Sequence, residues 1–103
     1  MAELFTKYGY TPDSQAISRK IEHLSKNVEN VVSPQVLKDC FSFMDVTSLH
    51  TNDTRESIVK LVDKVNALAT EFPDYPMPAS IRVYPNFASV VKGRRNSPRL
   101  HVT

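Results

Sequence analysis

The chain has 103 residues, 41% hydrophobic and 23% charged, with a formal net charge of +2, which suits one globular domain with a modest core. No apolar run approaches a membrane span, no basic-then-apolar leader is visible, and the single cysteine, Cys40, excludes an internal disulfide. A cytoplasmic protein with no membrane contact is expected.

The charge is unevenly spread. Through residue 91 there are nine Lys/Arg against all eleven Asp/Glu, whereas Lys92, Arg94, Arg95 and Arg99 follow with no acid among them. A basic end attracts phosphate or nucleic acid. This one holds no aromatic side chain to stack on bases, so nucleic acid is not an expected partner.

Residues 1–10 contain Phe5, Tyr8 and Tyr10 without a clear period and are expected to be a loose lead-in. Thr11-Pro12-Asp13 is a helix start, with Thr11 as cap, Pro12 at the first helical position and Asp13 at the positive end of the dipole. Ile17, Ile21, Leu24 and Val28 then recur at spacings of 4, 3 and 4, one apolar stripe on a helix of about four turns. His23 and Lys26 fall off the stripe and belong in solvent. Ser33-Pro34 repeats the start signal, and Val36, Leu37, Cys40, Phe41 and Met44 make a second stripe in which Cys40 is expected as a buried, inert thiol.

The stretch from Phe43 to Leu49 reads as a strand. Alternation puts Asp45, Thr47 and Leu49 on one face and Met44, Val46 and Ser48 on the other, the latter suited to lie under helices. His50 to Thr54 is turn chemistry, and Asp53 with Glu56 has capping-box spacing. The strongest helical pattern follows, with Ile58, Leu61, Val62, Val65, Leu68, Ala69 and Phe72 on one side and Arg55, Lys60, Asp63 and Lys64 on the other. Pro73 stops it, and three prolines stiffen the loop that leads to a second strand over 79–84. Pro85-Asn86 opens a short helical piece through Val91 that Gly93 can end in the left-handed conformation. Residues 99–103 begin a third strand. Strands and helices alternating in this way predict parallel βα units, which need helices on both faces or closure into a barrel.

Chemically informative residues are few. His23, His50, His101 and Cys40 are scattered, with no close ligand pair, so no metal site is expected. Two glycines cannot make a phosphate-cradling loop, and no nucleophile elbow is present. Asp45 is the one acid placed on a strand. Read as lying near that strand's C-terminal end, it is either a catalytic carboxylate in a barrel, where it would orient a lysine or share its proton, or a cap of the following turn.

The segments Met44-Asp45-Val46-Thr47-Ser48-Leu49, Asn52-Asp53-Thr54 and Ile81-Arg82-Val83-Tyr84-Pro85-Asn86-Phe87 resemble, in that order, the N-terminal part of the deoxyribose-phosphate aldolase family. That pattern is an M/I-D-L/V-T-x-L strand, a D-T helix start and an I-C-V/I-Y-P-x-F strand. The resemblance implies a (β/α)8 barrel and a class I aldolase of deoxyribonucleoside catabolism. Its lysine Schiff base reversibly cleaves 2-deoxy-D-ribose 5-phosphate to glyceraldehyde 3-phosphate and acetaldehyde, with no cofactor or metal. By the same resemblance Asp45 matches an active-site aspartate that helps hold the catalytic lysine, and Thr47 and Leu49 match pocket residues.

Arg82 stands where the family has cysteine. It is expected to pair with Asp45 or the substrate phosphate, to obstruct the pocket, or to reach the barrel end and be solvated. The family's catalytic lysines lie on later strands. The seven lysines here fall on predicted helices or their ends, where nothing lowers the amine pKa as a nucleophile requires. The expected architecture is thus one truncated α/β barrel portion: a lead-in of two helices over 1–42, the first βαβα units over 43–92, and a basic tail with the start of a third strand over 93–103, ended by truncation or frameshift. The chain alone is expected to be inactive. The competing class is a non-catalytic binding or homo-oligomerising module that uses the uncovered strand edge.

Overall fold

The computed structural model describes residues 2–103, which fall into two compact units, one ending at Val32 and one spanning Ser33–Thr103. The first unit holds α1 (Ala2–Lys7) and α2 (Ser14–Val31). The second holds α3 (Pro34–Ser42), β1 (Asp45–Ser48), α4 (Arg55–Glu71), β2 (Ser80–Val83), a single 3-10 turn (Pro85–Phe87), α5 (Ala88–Arg94) and β3 (His101–Val102). Helix α3, grouped by sequence with the lead-in, belongs to the second unit.

Three helices precede the first strand rather than two, because residues 1–10 are not loose. Gly9 adopts φ +62°, the Gly9 amide donates to the Thr6 carbonyl, and the Tyr10 amide donates to the Phe5 carbonyl at 2.8 Å. This is a Schellman closure, completed by an edge-to-face contact between Phe5 and Tyr10 with ring centroids 5.4 Å apart. The cap of α2 is Asp13 and not Thr11. Its carboxylate accepts from the Ala16 amide at 2.9 Å, leaving Pro12 outside the helix. No described residue of the first unit is buried.

In the second unit Ser33 caps α3, accepting from the Val36 amide, with Pro34 at the first helical position as its sequence predicts. Cys40 is exposed, not buried. Val36 and Leu37 are exposed with it, and only Phe41 of that stripe is half-buried, because the segment after α4 covers only this end of α3: the Phe41 ring meets Tyr75 edge to face.

The three strands form one parallel sheet in the order β1-β2-β3. Asp45 pairs with Ser80 and Thr47 with Arg82; Ser80 in turn pairs with His101. The helices of the two crossovers carry the core. Ile58, Val62 and Val65 of α4 and Val90 and Val91 of α5 bury themselves against Ile81 and Val83 of β2 and against Leu100, with Val46 and Val102 beside them. Burial of such side chains stabilises by about 1.5–3 kcal/mol each before conformational entropy is charged.

Two local expectations fail here. The box at the start of α4 is Thr54 with Ser57, each hydroxyl accepting from the other's backbone amide, not Asp53 with Glu56. Asp53 is drawn away because its carboxylate accepts from the Ser48 hydroxyl and the His50 amide. Gly93 stays helical, and α5 ends one residue later, where Asn66 of α4 holds the chain: its amide donates to the Arg94 carbonyl and its oxygen accepts from the Asn96 amide, both at 3.0 Å. No described helix is long and apolar enough to cross a membrane.

Candidate functional site

Alternation in a parallel sheet sends Val46, Ile81, Val83 and Val102 toward α4 and α5, and sends Asp45, Thr47, Ser80 and Arg82 to the other face. That second face is polar. Asp45, Thr47, Arg82 and Thr103 are exposed on it, while Ser80 is buried beneath its neighbours.

Asp45 is the first residue of β1, not a residue near its C-terminal end. The strand starts there because Phe43 still caps α3 and the Met44 carbonyl accepts the Ala79 amide, so pairing begins only at Asp45. Each carboxylate oxygen then has one strong donor from β2. Ser80 Oγ donates to Oδ1, and Arg82 Nη2 donates to Oδ2 at 2.6 Å. Ser80 Oγ also lies 3.0 Å from Thr103 Oγ1, which continues the network to the residue after β3. Charge-assisted hydrogen bonds of this kind are the stronger class. The ion pair keeps substantial solvent contact, with the Arg82 side chain 49% and the Asp45 side chain 32% exposed, so it fixes position more than it stabilises.

Of the sequence-derived candidates, the structure joins Asp45 and Arg82 directly. Thr47 sits opposite Arg82 in register and shows one long bond, from its hydroxyl to the Asp45 carbonyl at 3.4 Å. Leu49 lies beyond the end of β1 and is exposed. Ser80 and Thr103 were missed. Ser80 was legible, since it stands two residues before Arg82 and shares its face, but a serine on an apolar strand carries no charge to draw notice. Thr103 required knowing the register of β3.

The lysines occupy helices throughout: Lys7 in α1, Lys20 and Lys26 in α2, Lys38 in α3, Lys60 and Lys64 in α4, and Lys92 in α5. Lys38 Nζ stands over the Tyr75 ring, 5.6 Å from its centroid. Around Tyr75 a cavity of about 240 Å³ opens between Phe41, Leu68 and Phe72. A second, wider cleft is lined by Phe43, Met77, Pro78, Arg99 and His101 among others. Neither is lined by Asp45, Thr47, Leu49 or Arg82, so the polar face is an open surface.

Half of the basic end is engaged. Arg94 forms two bonds to the Asp63 carboxylate, at 2.7 and 3.0 Å, and Arg95 Nη1 donates to the Leu100 carbonyl. These contacts tie α5 to α4 and steady the entry into β3, so two of the four basic residues after position 91 act as fasteners. Among the described residues no three His, Cys, Asp or Glu side chains come together as a metal-binding group. Comparison with protein-family models, with curated proteins and with solved structures finds no match to this chain.

Proposed function

We propose that residues 43–103 are the opening βα units of a class I aldolase barrel of the deoxyribose-phosphate type, contributing Asp45 to the barrel lumen. The substrate of the complete reaction would be a small phosphorylated sugar. The observation that carries this reading is the one-sided sheet: three parallel strands with an apolar face under α4 and α5 and a polar face that presents Asp45 between Ser80 and Arg82. A closed barrel has this division, helices outside and inward side chains gathered around the axis. By the resemblance Asp45 would help hold the Schiff-base lysine and its proton, acting from the N-terminal end of β1, with Thr47 and Leu49 nearer the C-terminal mouth where barrel chemistry lies. Arg82, in the position of the family's cysteine, would neutralise Asp45 until a lysine replaces it.

In this reading residues 1–103 do not supply the nucleophile. An amine nucleophile must lose its proton near neutral pH, through burial or a cationic neighbour. Every lysine here is on a helix, and none is buried.

Borohydride trapping tests the second claim. The purified chain with 2-deoxy-D-ribose 5-phosphate or acetaldehyde is expected to give no saturable single-lysine adduct by intact mass, and one such adduct would refute it. A chimera tests the first. Residues 44–92 are placed in an active aldolase of the family in place of the matching segment. Retained cleavage that Asp45→Asn reduces by at least about 10²-fold is the expected result. A folded chimera indifferent to Asp45→Asn would reject the assignment.

A further inference from the structure

The wider cleft lies at the edge of the sheet where all three parallel strands begin. Phe43 precedes β1, Met77 and Pro78 precede β2, and Ser97 and Arg99 precede β3, of which His101 is the first residue. Every residue that lines it belongs to the unit Ser33–Thr103. Its volume of about 600 Å³ is that of a small-molecule site. In a barrel this is the end opposite the catalytic mouth.

The lining is of two kinds. The segments before β1 and β2 bring Phe43, Met77 and the buried Pro78, and the hydroxyl of Ser42 is spent on the Asp39 carbonyl at 2.6 Å. The segment before β3 brings donors, and it is fixed in place. The Leu100 amide donates to the Ser97 carbonyl at 3.2 Å, the Arg99 amide donates to Ser97 Oγ at 3.3 Å, and the His101 amide donates to the Ala79 carbonyl at 3.0 Å. Leu100 itself is fully buried between Arg99 and His101, which are exposed. Among the described residues of Ser33–Thr103, the Arg99 guanidinium and the His101 ring have no hydrogen-bond or ion-pair partner. No carboxylate lines the cleft.

We infer that this cleft binds a small aryl phosphomonoester, its phosphate on Arg99, His101 and Ser97 and its ring against Phe43 and Met77. A phosphomonoester carries roughly 1.5–2 negative charges at neutral pH and three acceptor oxygens. The cleft offers a guanidinium fork, an imidazole N–H and the proton of a hydroxyl whose oxygen is already occupied, with no acid to repel the charge. A carboxylate has one oxygen fewer to meet these donors, and inorganic phosphate leaves the apolar lining in water. The inference rests on residues 43 and 76–101 and makes no use of Asp45, so it stands or falls apart from the aldolase reading.

Titration of the isotope-labelled full chain with phenyl phosphate, followed by amide chemical shifts, is the test. The expected result is binding that saturates below about 10 mM, with shifts gathered at residues 97–101 and at Phe43 and Met77. Arg99→Gln should weaken it at least about tenfold, whereas Lys92→Gln, which removes the same charge from α5, should change it less than about twofold. Phe43→Ala should weaken phenyl phosphate several-fold and leave inorganic phosphate unchanged, a difference that loss of folding cannot imitate. Inorganic phosphate and benzoate should each bind the natural chain several-fold more weakly than phenyl phosphate. Absence of saturation overturns the inference, as do shifts gathered elsewhere in the chain or equal losses from Arg99→Gln and Lys92→Gln, the mark of unspecific charge attraction. Benzoate binding as tightly as phenyl phosphate overturns the phosphate assignment, and inorganic phosphate binding as tightly overturns the aryl one.

Discussion

Asp45 and Asp63 each meet an arginine from far along the chain, and their surroundings give them different work. Asp45 shares its two oxygens between a buried serine and an arginine on the open sheet face. Asp63 takes two parallel bonds from one guanidinium, a planar fork that lysine could not supply. The hydrogen bonds from Arg94, opposed by desolvation and supported by its positive charge, hold the Asp63 carboxyl below its ordinary value of 3.8, and they raise Arg94 in return. The sign of the consequence is fixed. A carboxylate depressed in the folded state contributes stability that is fully present above its unfolded pKa and is lost as pH falls through the folded one. A carboxyl-detected NMR titration should therefore place the midpoint of Asp63 below the usual aspartate range, and Arg94→Gln should move it back up. The stability difference between the natural chain and Asp63→Asn should shrink as pH falls below about 4. A midpoint unmoved by Arg94→Gln would show that the pair is not formed in solution.

Caps and closures decide where the elements begin and end, and here sequence and structure part most often. The box at α4 uses Thr54 and Ser57, so Thr54→Ala should lower stability by about 1 kcal/mol while Glu56→Ala changes it by less than about 0.5, measured by urea unfolding. The reverse ranking would restore the Asp53–Glu56 box. Periodicity located the first two strands and the helix between them, because burial pattern depends only on spacing, and the alternation of strands with helices gave the parallel order. Caps depend on competition that spacing does not record. Asp53 had two suitors, and the Ser48 hydroxyl with the His50 amide won it. Gly93 looked like a helix stop, but Asn66, distant in sequence, holds the end of α5 beyond it. The pairing of Asp45 with Arg82 was legible as one of several options, since alternation gives the face; the part played by Ser80 and Thr103 was hidden in the strand register.

At the scale of the whole molecule the two units are stabilised by different means. The unit ending at Val32 is capped and closed locally but buries none of its described residues, whereas the unit from Ser33 onward surrounds Ile81 of the central strand with α4, α5 and Leu100. A sheet of three strands covered on one face has half the burial a parallel sheet ordinarily enjoys. The remaining core must then bear most of the stability of that unit, and a change there should be felt across it. Ile81 is 0% exposed and adjoins both flanking strands, so Ile81→Ala removes buried carbons and leaves a cavity between the sheet and the helices packed on it. The expected cost is about 2–5 kcal/mol, a large part of what holds a small domain together. Thr47→Ala, on the open face of the neighbouring strand, should change stability by no more than about 0.5 kcal/mol. Urea unfolding of both variants, followed by circular dichroism and by hydrogen exchange at the β2 amides, separates the two faces. Equal losses would mean that the polar face is covered in solution and that the sheet is sandwiched. A loss confined to Ile81→Ala, with the β2 amides exchanging faster throughout, is the result that a one-sided core requires.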